Sequence, residues 1–190
     1  MKLPIIAYGD PVLRRKATDI ESDEYPHIKK LIEDMFETMY GAKGVGLAAP
    51  QVGVSMRLFV VDASPFDDDE PQLKDFKKAF INAHILSEDG EEWAFNEGCL
   101  SIPEIREDVY RKQTICISYY DADWKHHEES YSGLAARIIQ HEYDHIEGKL
   151  FTDKLNPLRK RLIEKKLADI SKGNVSVDYK MKFPAAKKGR

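Results

Sequence analysis

Cysteine is nearly absent from this chain. Two thiols, Cys99 and Cys116, in 190 residues cannot make a disulfide framework. Each is then a buried apolar residue, a metal ligand or a reactive thiol in a reducing compartment. Long apolar runs are missing as well. Nothing approaches the ~18 consecutive apolar residues of a membrane span. The opening MKLPIIAYGDP is broken by Pro4, Gly9 and Asp10, too soon for a secretory signal. These absences point to a cytoplasmic protein without a membrane partner. No segment repeats, and no linker divides the chain. The content of 42% hydrophobic and 33% charged residues is that of a folded domain and excludes a disordered chain.

The net charge of −4 hides a division. Residues 154–190 carry 12 Lys+Arg against 3 Asp+Glu, while residues 1–153 carry 17 against 30. A basic end on an acidic body is either a solvated helix face or a docking surface for RNA or another anionic partner.

Periodicity places the elements. Ile28, Leu31, Ile32, Met35, Phe36, Met39 and Tyr40 have helical spacing over 26–40, and Gly41 is placed to end that helix. GAKGVGLAAPQVGV follows as a small-residue loop and MRLFVVDA as a buried strand. SPFDDDEPQLKDF reads as a surface loop, with the acidic run 67–70 solvated. KAFINAHILS and EEWAFNEGCLS read as strands around a turn at EDG. YRKQTICISYYDAD alternates as a strand does, with HHEESYS as its hairpin partner. Residues 133–147 return to helical period, with Ser132 as N-cap and Gly148 as C-cap glycine. A last helix, 157–172, opens on Asn156-Pro157. It aligns Leu158, Leu162, Ile163, Leu167 and Ile170, with Arg159, Lys160, Arg161, Lys165 and Lys166 opposite. The expectation is one α+β domain over residues 1–173, with antiparallel sheets packed around the helix 133–147. Residues 174–190 read as a basic, flexible tail.

The chemistry concentrates in RIIQHEYDHIEGKLF, residues 137–151. On a helix, His141 and His145 lie one turn apart on one face, along the stripe begun by Leu134 and Ile138, and Glu142 reaches the edge of the same site. H-E-x-x-H on a helix is the arrangement of metal hydrolases, in which two imidazoles bind the ion and the glutamate moves a proton of water. A catalytic ion of this kind takes three protein ligands. Three candidates stand. The position six residues after the second histidine is Phe151, which cannot ligate. Glu164 has the distance of a downstream glutamate ligand but lies among Arg161, Lys165 and Lys166. Cys99, in EGCLS, offers a thiolate where a strand ends. With Glu164 the protein would be a zinc metallopeptidase. With a fourth ligand the site would be purely structural, and Cys116, in an alternating strand, is better placed in the core. GVGLAA fits a dinucleotide pattern formally. It follows a helix instead of a strand, and Pro50 interrupts it, so no nucleotide cofactor is expected.

Three segments together carry a resemblance. GVGLAAPQ (44–51), EGCLS (97–101) and QHEYDH (140–145) resemble, in order and content, the signature motifs of peptide deformylases, and YGDPVLRRKATDI resembles the start of that family. The resemblance covers roughly residues 3–155. It implies a hydrolase that removes the formyl group from formyl-methionine at the start of nascent polypeptides and releases formate. It implies one divalent metal ion, Fe²⁺ in the cell, with Zn²⁺, Ni²⁺ or Co²⁺ possible in a preparation. The ligands would be Cys99, His141 and His145, and the base Glu142. Gln51 and the Leu100 N–H would bind the formyl oxygen. Val45, Gly46, Arg106, Leu134 and Ile138 would line the substrate pocket. Glu97 and Asp144 are candidates to orient ligands, Glu97 also to meet substrate. Arg137 departs from the usual aliphatic residue and would narrow the pocket or reach an acidic substrate residue. Members with a C-terminal helix can dock on the ribosome, which suits the basic segment here.

Overall fold

The computed structural model describes residues 1–184. The strands are β1 (Ile5–Ile6), β2 (Gly46–Ala48), β3 (Leu58–Asp62), β4 (Lys77–Cys99), β5 (Ile102–Tyr120), β6 (His126–Ser132) and β7 (Met181–Lys182). The helices are α1 (Tyr25–Gly41), α2 (Gly133–Ile146) and α3 (Pro157–Ser171). Strands β2 to β6 form one antiparallel sheet in chain order. Helix α2 lays Leu134, Ala135, Ala136, Ile138, Ile139 and Ile146 against Phe59, Phe80, Ile115 and Ile117 of that sheet. Helix α1 covers a second core with Ile28, Ile32, Met35 and Met39 against Leu47, Leu58 and Val60. The architecture is α+β, as expected from the strand-rich, non-alternating order of elements.

Four local expectations change. The turn expected at EDG is absent: β4 runs straight through it. Its ladder to β5 slips between Asp89 and Glu92, and Gly90 takes φ +84°, so the glycine marks a bulge. The expected stripe on α3 is only partly covered. Ile163 and Ile170 are buried, but Leu158 and Leu162 stand exposed. The tail expected beyond 173 is not free where the structure describes it. Strand β7 pairs parallel with β1, Ile5 opposite Met181, and Val175, Met181 and Phe183 pack on the α3 core. Residues 185–190 of the expected tail lie outside the described residues.

The fourth change concerns the start of α2. Ser132 makes no side-chain cap. The Leu134 N–H donates instead to Glu70 Oε1 at 3.0 Å, from the acidic run read as solvated. A carboxylate there satisfies an open helix donor and faces the positive end of the helix dipole. At the other end Gly148 adopts φ +71°, and the Lys149 N–H returns to the Asp144 carbonyl at 2.8 Å, closing the helix as its position suggested.

Glu70→Ala should therefore destabilise by about 1 kcal/mol, a fall in Tm of about 2–4 °C at this chain length. Asp68→Ala is the control. Equal calorimetric shifts for the two would show that Glu70 is not the cap.

Candidate metal centre

The last residue of β4 is Cys99, and a two-residue connection, Leu100-Ser101, leads into β5. Helix α2 passes this turn with His141 and His145 on the facing stripe. Cys99 Sγ lies 3.4 Å from His145 Nε2. Ligand atoms of Cys99, His141 and His145 all fall within 4.8 Å of one another. Bond lengths of ~2.3 Å to sulfur and ~2.0 Å to nitrogen on a tetrahedral ion put such donors about 3.6 Å apart. The observed spacing therefore fits one ion. Glu164 is exposed on α3, in a separate cleft with Tyr8, Arg14 and Lys160. Phe151 stacks on the His141 ring at 5.9 Å.

Behind His141 stands a buried charge cluster. The His141 Nδ1–H donates to Glu97 Oε1 at 2.8 Å, which leaves Nε2 for the site. Arg111 holds the same carboxylate through Nε at 2.7 Å and Nη2 at 3.0 Å, and donates to Asp144 through Nη1 at 2.7 Å. Asp144 thus reaches the ligands only through Arg111. Arg137 is 2% exposed. It donates to Glu97 Oε2 and the Val109 carbonyl, both at 2.9 Å, and to the Trp93 carbonyl at 2.6 Å, with its guanidinium over the Trp93 ring. The expectation that it reaches toward an acidic substrate residue is corrected: its charge is spent on Glu97.

Protonation follows from these contacts. Burial disfavours the Glu97 carboxylate, but bonds from His141 and Arg111 outweigh burial and hold its pKa well below the usual range. Burial pushes Glu142 up to about 7. Its Oε2 is buried without a hydrogen-bond partner. Burial also works to lower His141, yet its bonds to Cys99 and Glu97 raise it well above the ordinary value, so an ion binding at Nε2 would displace a proton there. Burial and the neighbouring positive charges keep His145 neutral, the form in which an imidazole ligates.

The remaining expected residues sort as follows. The Ala48 N–H donates to Gln51 Oε1 at 2.9 Å, which turns the Gln51 Nε2 toward Cys99 Sγ (3.4 Å) and Ser101 Oγ (3.2 Å). A cavity of about 830 Å³ opens beside the cluster. Val45, Gly46, Gln51, Glu97, Leu100, Arg106, Arg137 and Ile138 border it; Leu134 does not, being packed in the core. Arg106 borders the cavity and donates through Nε to Asn96 Oδ1 at 2.9 Å, which ties its guanidinium to β4. Phe66, Phe95 and Ile105 also border the cavity and were not anticipated. Ile105 lies in a strand whose alternation could have shown it.

Comparison with known proteins agrees with this geometry. The family model described as polypeptide deformylase matches residues 2–161. The chain is 62% identical to the peptide deformylase of Christiangramia forsetii and 59% identical to that of Flavobacterium johnsoniae, each over the full length of both chains. Its structure is similar to a peptide deformylase from Legionella pneumophila, with TM-score 0.79 and 37% identity over 92% of this chain and 98% of that one. The chain belongs to the polypeptide deformylase family. It is a hydrolase that removes the N-terminal formyl group from nascent peptides, and the family is metal-dependent.

The charge cluster makes a strong demand on stability. Arg111→Leu takes the close partner from Asp144 and leaves Glu97 to Arg137 and His141, and should cost about 3 kcal/mol in urea unfolding. Metal affinity should fall ~10–100-fold as Glu97, the partner of His141, loses the two bonds by which Arg111 holds it. A variant as stable as the parent would show that Arg137 alone suffices.

Proposed function

We propose that Cys99, His141 and His145 hold one divalent ion, Fe²⁺ in the cell, and that Glu142 is the acid and base of deformylation. The observation that carries this reading is the convergence of three ligand atoms beside a buried carboxylate whose Oε2 has no partner. A thiolate with two imidazoles suits Fe²⁺ and Zn²⁺ alike, so availability selects between them, and Ni²⁺ or Co²⁺ would occupy the same donors. When bound, the ion would supply a Lewis acid able to lower the pKa of a water.

Glu142 would take the proton from the attacking water and later deliver it to the leaving amine. A pKa near 7 suits a group that must do both. The Gln51 amide and the Leu100 N–H bind the formyl oxygen as negative charge grows on it. Donors of this type contribute ~3 kcal/mol each in the transition state. The methionine side chain enters the cavity between Val45, Ile138, Phe95 and the Arg106 stem. Gly46, without a side chain, lets the peptide lie close to β2. Nascent formylated chains are made on ribosomes, and a cytoplasmic location suits an enzyme that acts on them. No helix among the described residues is long and apolar enough to cross a membrane.

The basic face of α3 supports ribosome docking. Lys160, Arg161, Lys165 and Lys166 are exposed, whereas Arg159 is paired with Glu107 at 2.8 Å through Nε and Nη2. Removing the helix would strip Ile163 and Ile170 from the core, so charge reversal is the informative change.

Three outcomes are expected. In anaerobically purified protein, Cys99→Ser loses the metal. Glu142→Ala keeps it while formate release from formyl-Met-Ala-Ser falls by roughly 10²–10⁴-fold. Full activity in Glu142→Ala would remove the glutamate from the mechanism. Reversal of Lys160, Arg161, Lys165 and Lys166 to Glu abolishes co-sedimentation with ribosomes at low salt. Unchanged co-sedimentation would remove α3 as the docking element.

A further inference from the structure

The segment after α3 lies beyond the residues matched by the family model, 2–161, and no role above uses it. Its side chains nevertheless border the active-site cavity. Ser176, Val177, Asp178 and Tyr179 share that cavity with Cys99, His141 and Glu142. Exposure alternates along the segment. Val175, Val177, Tyr179, Met181 and Phe183 are half-buried, while Asn174, Ser176, Asp178, Lys180 and Lys182 are exposed. The alternation is that of an extended segment with one covered face; the chain bends at Asp178 and Tyr179 before it enters β7.

The segment is anchored on both sides of the cavity-lining residues. Val175 packs on the α3 core before them; Met181 and Phe183 do so after them. The Ile5 N–H donates to the Lys180 carbonyl and the Ala7 N–H to the Lys182 carbonyl, both at 2.9 Å. Between these anchors, two adjacent residues touch the two lips of the cleft. Asp178 pairs with Lys43 at 2.8 Å, immediately before the Gly44–Gly46 stretch. The Tyr179 hydroxyl donates to the Leu100 carbonyl at 2.8 Å, immediately after Cys99. The ion pair is exposed and weak alone. The strand pairing and the tyrosine hydrogen bond hold the segment, and the ion pair orients Asp178. Val177, half-buried and bordering the cavity, belongs to none of the core clusters.

We propose that residues 176–179 are a built part of the substrate site: a strap that joins the two lips of the cleft and forms the wall against the peptide residues following the first. This rests on the reading that the formyl group and first residue sit beside Cys99, His141 and Glu142. At about 830 Å³ the cavity is near the upper end of the roughly 300–1,000 Å³ found for ligand sites. It has room for more than one residue. Val177 supplies the apolar contact to the peptide. Tyr179 is a positioning residue that fixes the turn carrying Leu100, and Asp178 fixes the strap against Lys43.

The test uses the full, metal-loaded chain with Val177→Ala, Asp178→Lys and Tyr179→Phe. Formate release is measured on formyl-methionine amide and on formyl-Met-Ala-Ser. Wild-type turnover of both substrates sets the scale, and its absence would overturn the deformylation reading and this inference with it. With turnover established, Val177→Ala and Asp178→Lys should lower the ratio of the two kcat/KM values, tripeptide over amide, about tenfold, with the loss in KM. Calorimetric binding of the product Met-Ala-Ser should weaken by a similar factor. Tyr179→Phe should lower kcat on both substrates, since it loosens the Leu100 turn. A tripeptide-to-amide ratio unchanged in both Val177→Ala and Asp178→Lys overturns the proposal, even where either variant melts earlier than the parent.

Discussion

Glu97 is 4% exposed, and burial alone would strip its charge; bonds from Arg111, Arg137 and His141 reverse that balance. The four side chains come from three elements: Glu97 from β4, Arg111 from β5, Arg137 and His141 from α2. The carboxylate therefore fixes the helix against the hairpin at the place where the ligands must meet. The spacing in the sequence carries the match. Glu97 and Cys99 are two apart on a strand, and Arg137, His141 and His145 are four apart on a helix, so each set shares a face. Arg137 and His141 meet Glu97, and His145 meets Cys99. A slip of the helix by one turn would pair a histidine with the wrong partner and leave a buried charge alone. The cluster therefore sets the register of the site, as well as the orientation of one imidazole.

What could be read from the sequence follows the range of the signal. The phase of His141, Glu142 and His145 is local, and so is the strand end at Cys99; both were legible, as was the β6 hairpin partner. Their convergence is not local, and motif order rather than geometry announced it. The reach of Arg137 toward an acidic substrate residue was the wrong half of its expectation, since a cation in an apolar stripe does not show its partners, although the residue does border the cavity. Its partners, Glu97 and two strand carbonyls, are 28 to 44 residues away. Glu70 was misread for a similar reason: its partner, the Leu134 N–H, is 64 residues on. The turn expected at EDG failed because a glycine with positive φ serves a bulge as well as a turn. The tail is a different case. Its alternation, Val175, Val177, Tyr179, Met181, Phe183, was present in plain sequence. The strongly basic composition of the end masked it.

Closure of the cavity also explains the chemistry assigned to Glu142. A Cβ on Gly46 would stand 2.4 Å from Glu142 Oε1. The backbone of β2 thus lies directly against the carboxylate, and this contact helps exclude solvent and raise its pKa. The same stretch, with Val45 and Gln51, faces the turn at Leu100, where Gly44 meets the leucine side chain. In the proposed mechanism, water exclusion at the base, approach of the peptide and placement of the oxyanion donors thus depend on one narrow separation between two lips. A glycine sets that separation on one side and a two-residue turn on the other. Neither is stiff by itself. Rigidity has to come from outside the pair: from the buried charges behind His141, and from a strap that touches both lips at adjacent residues.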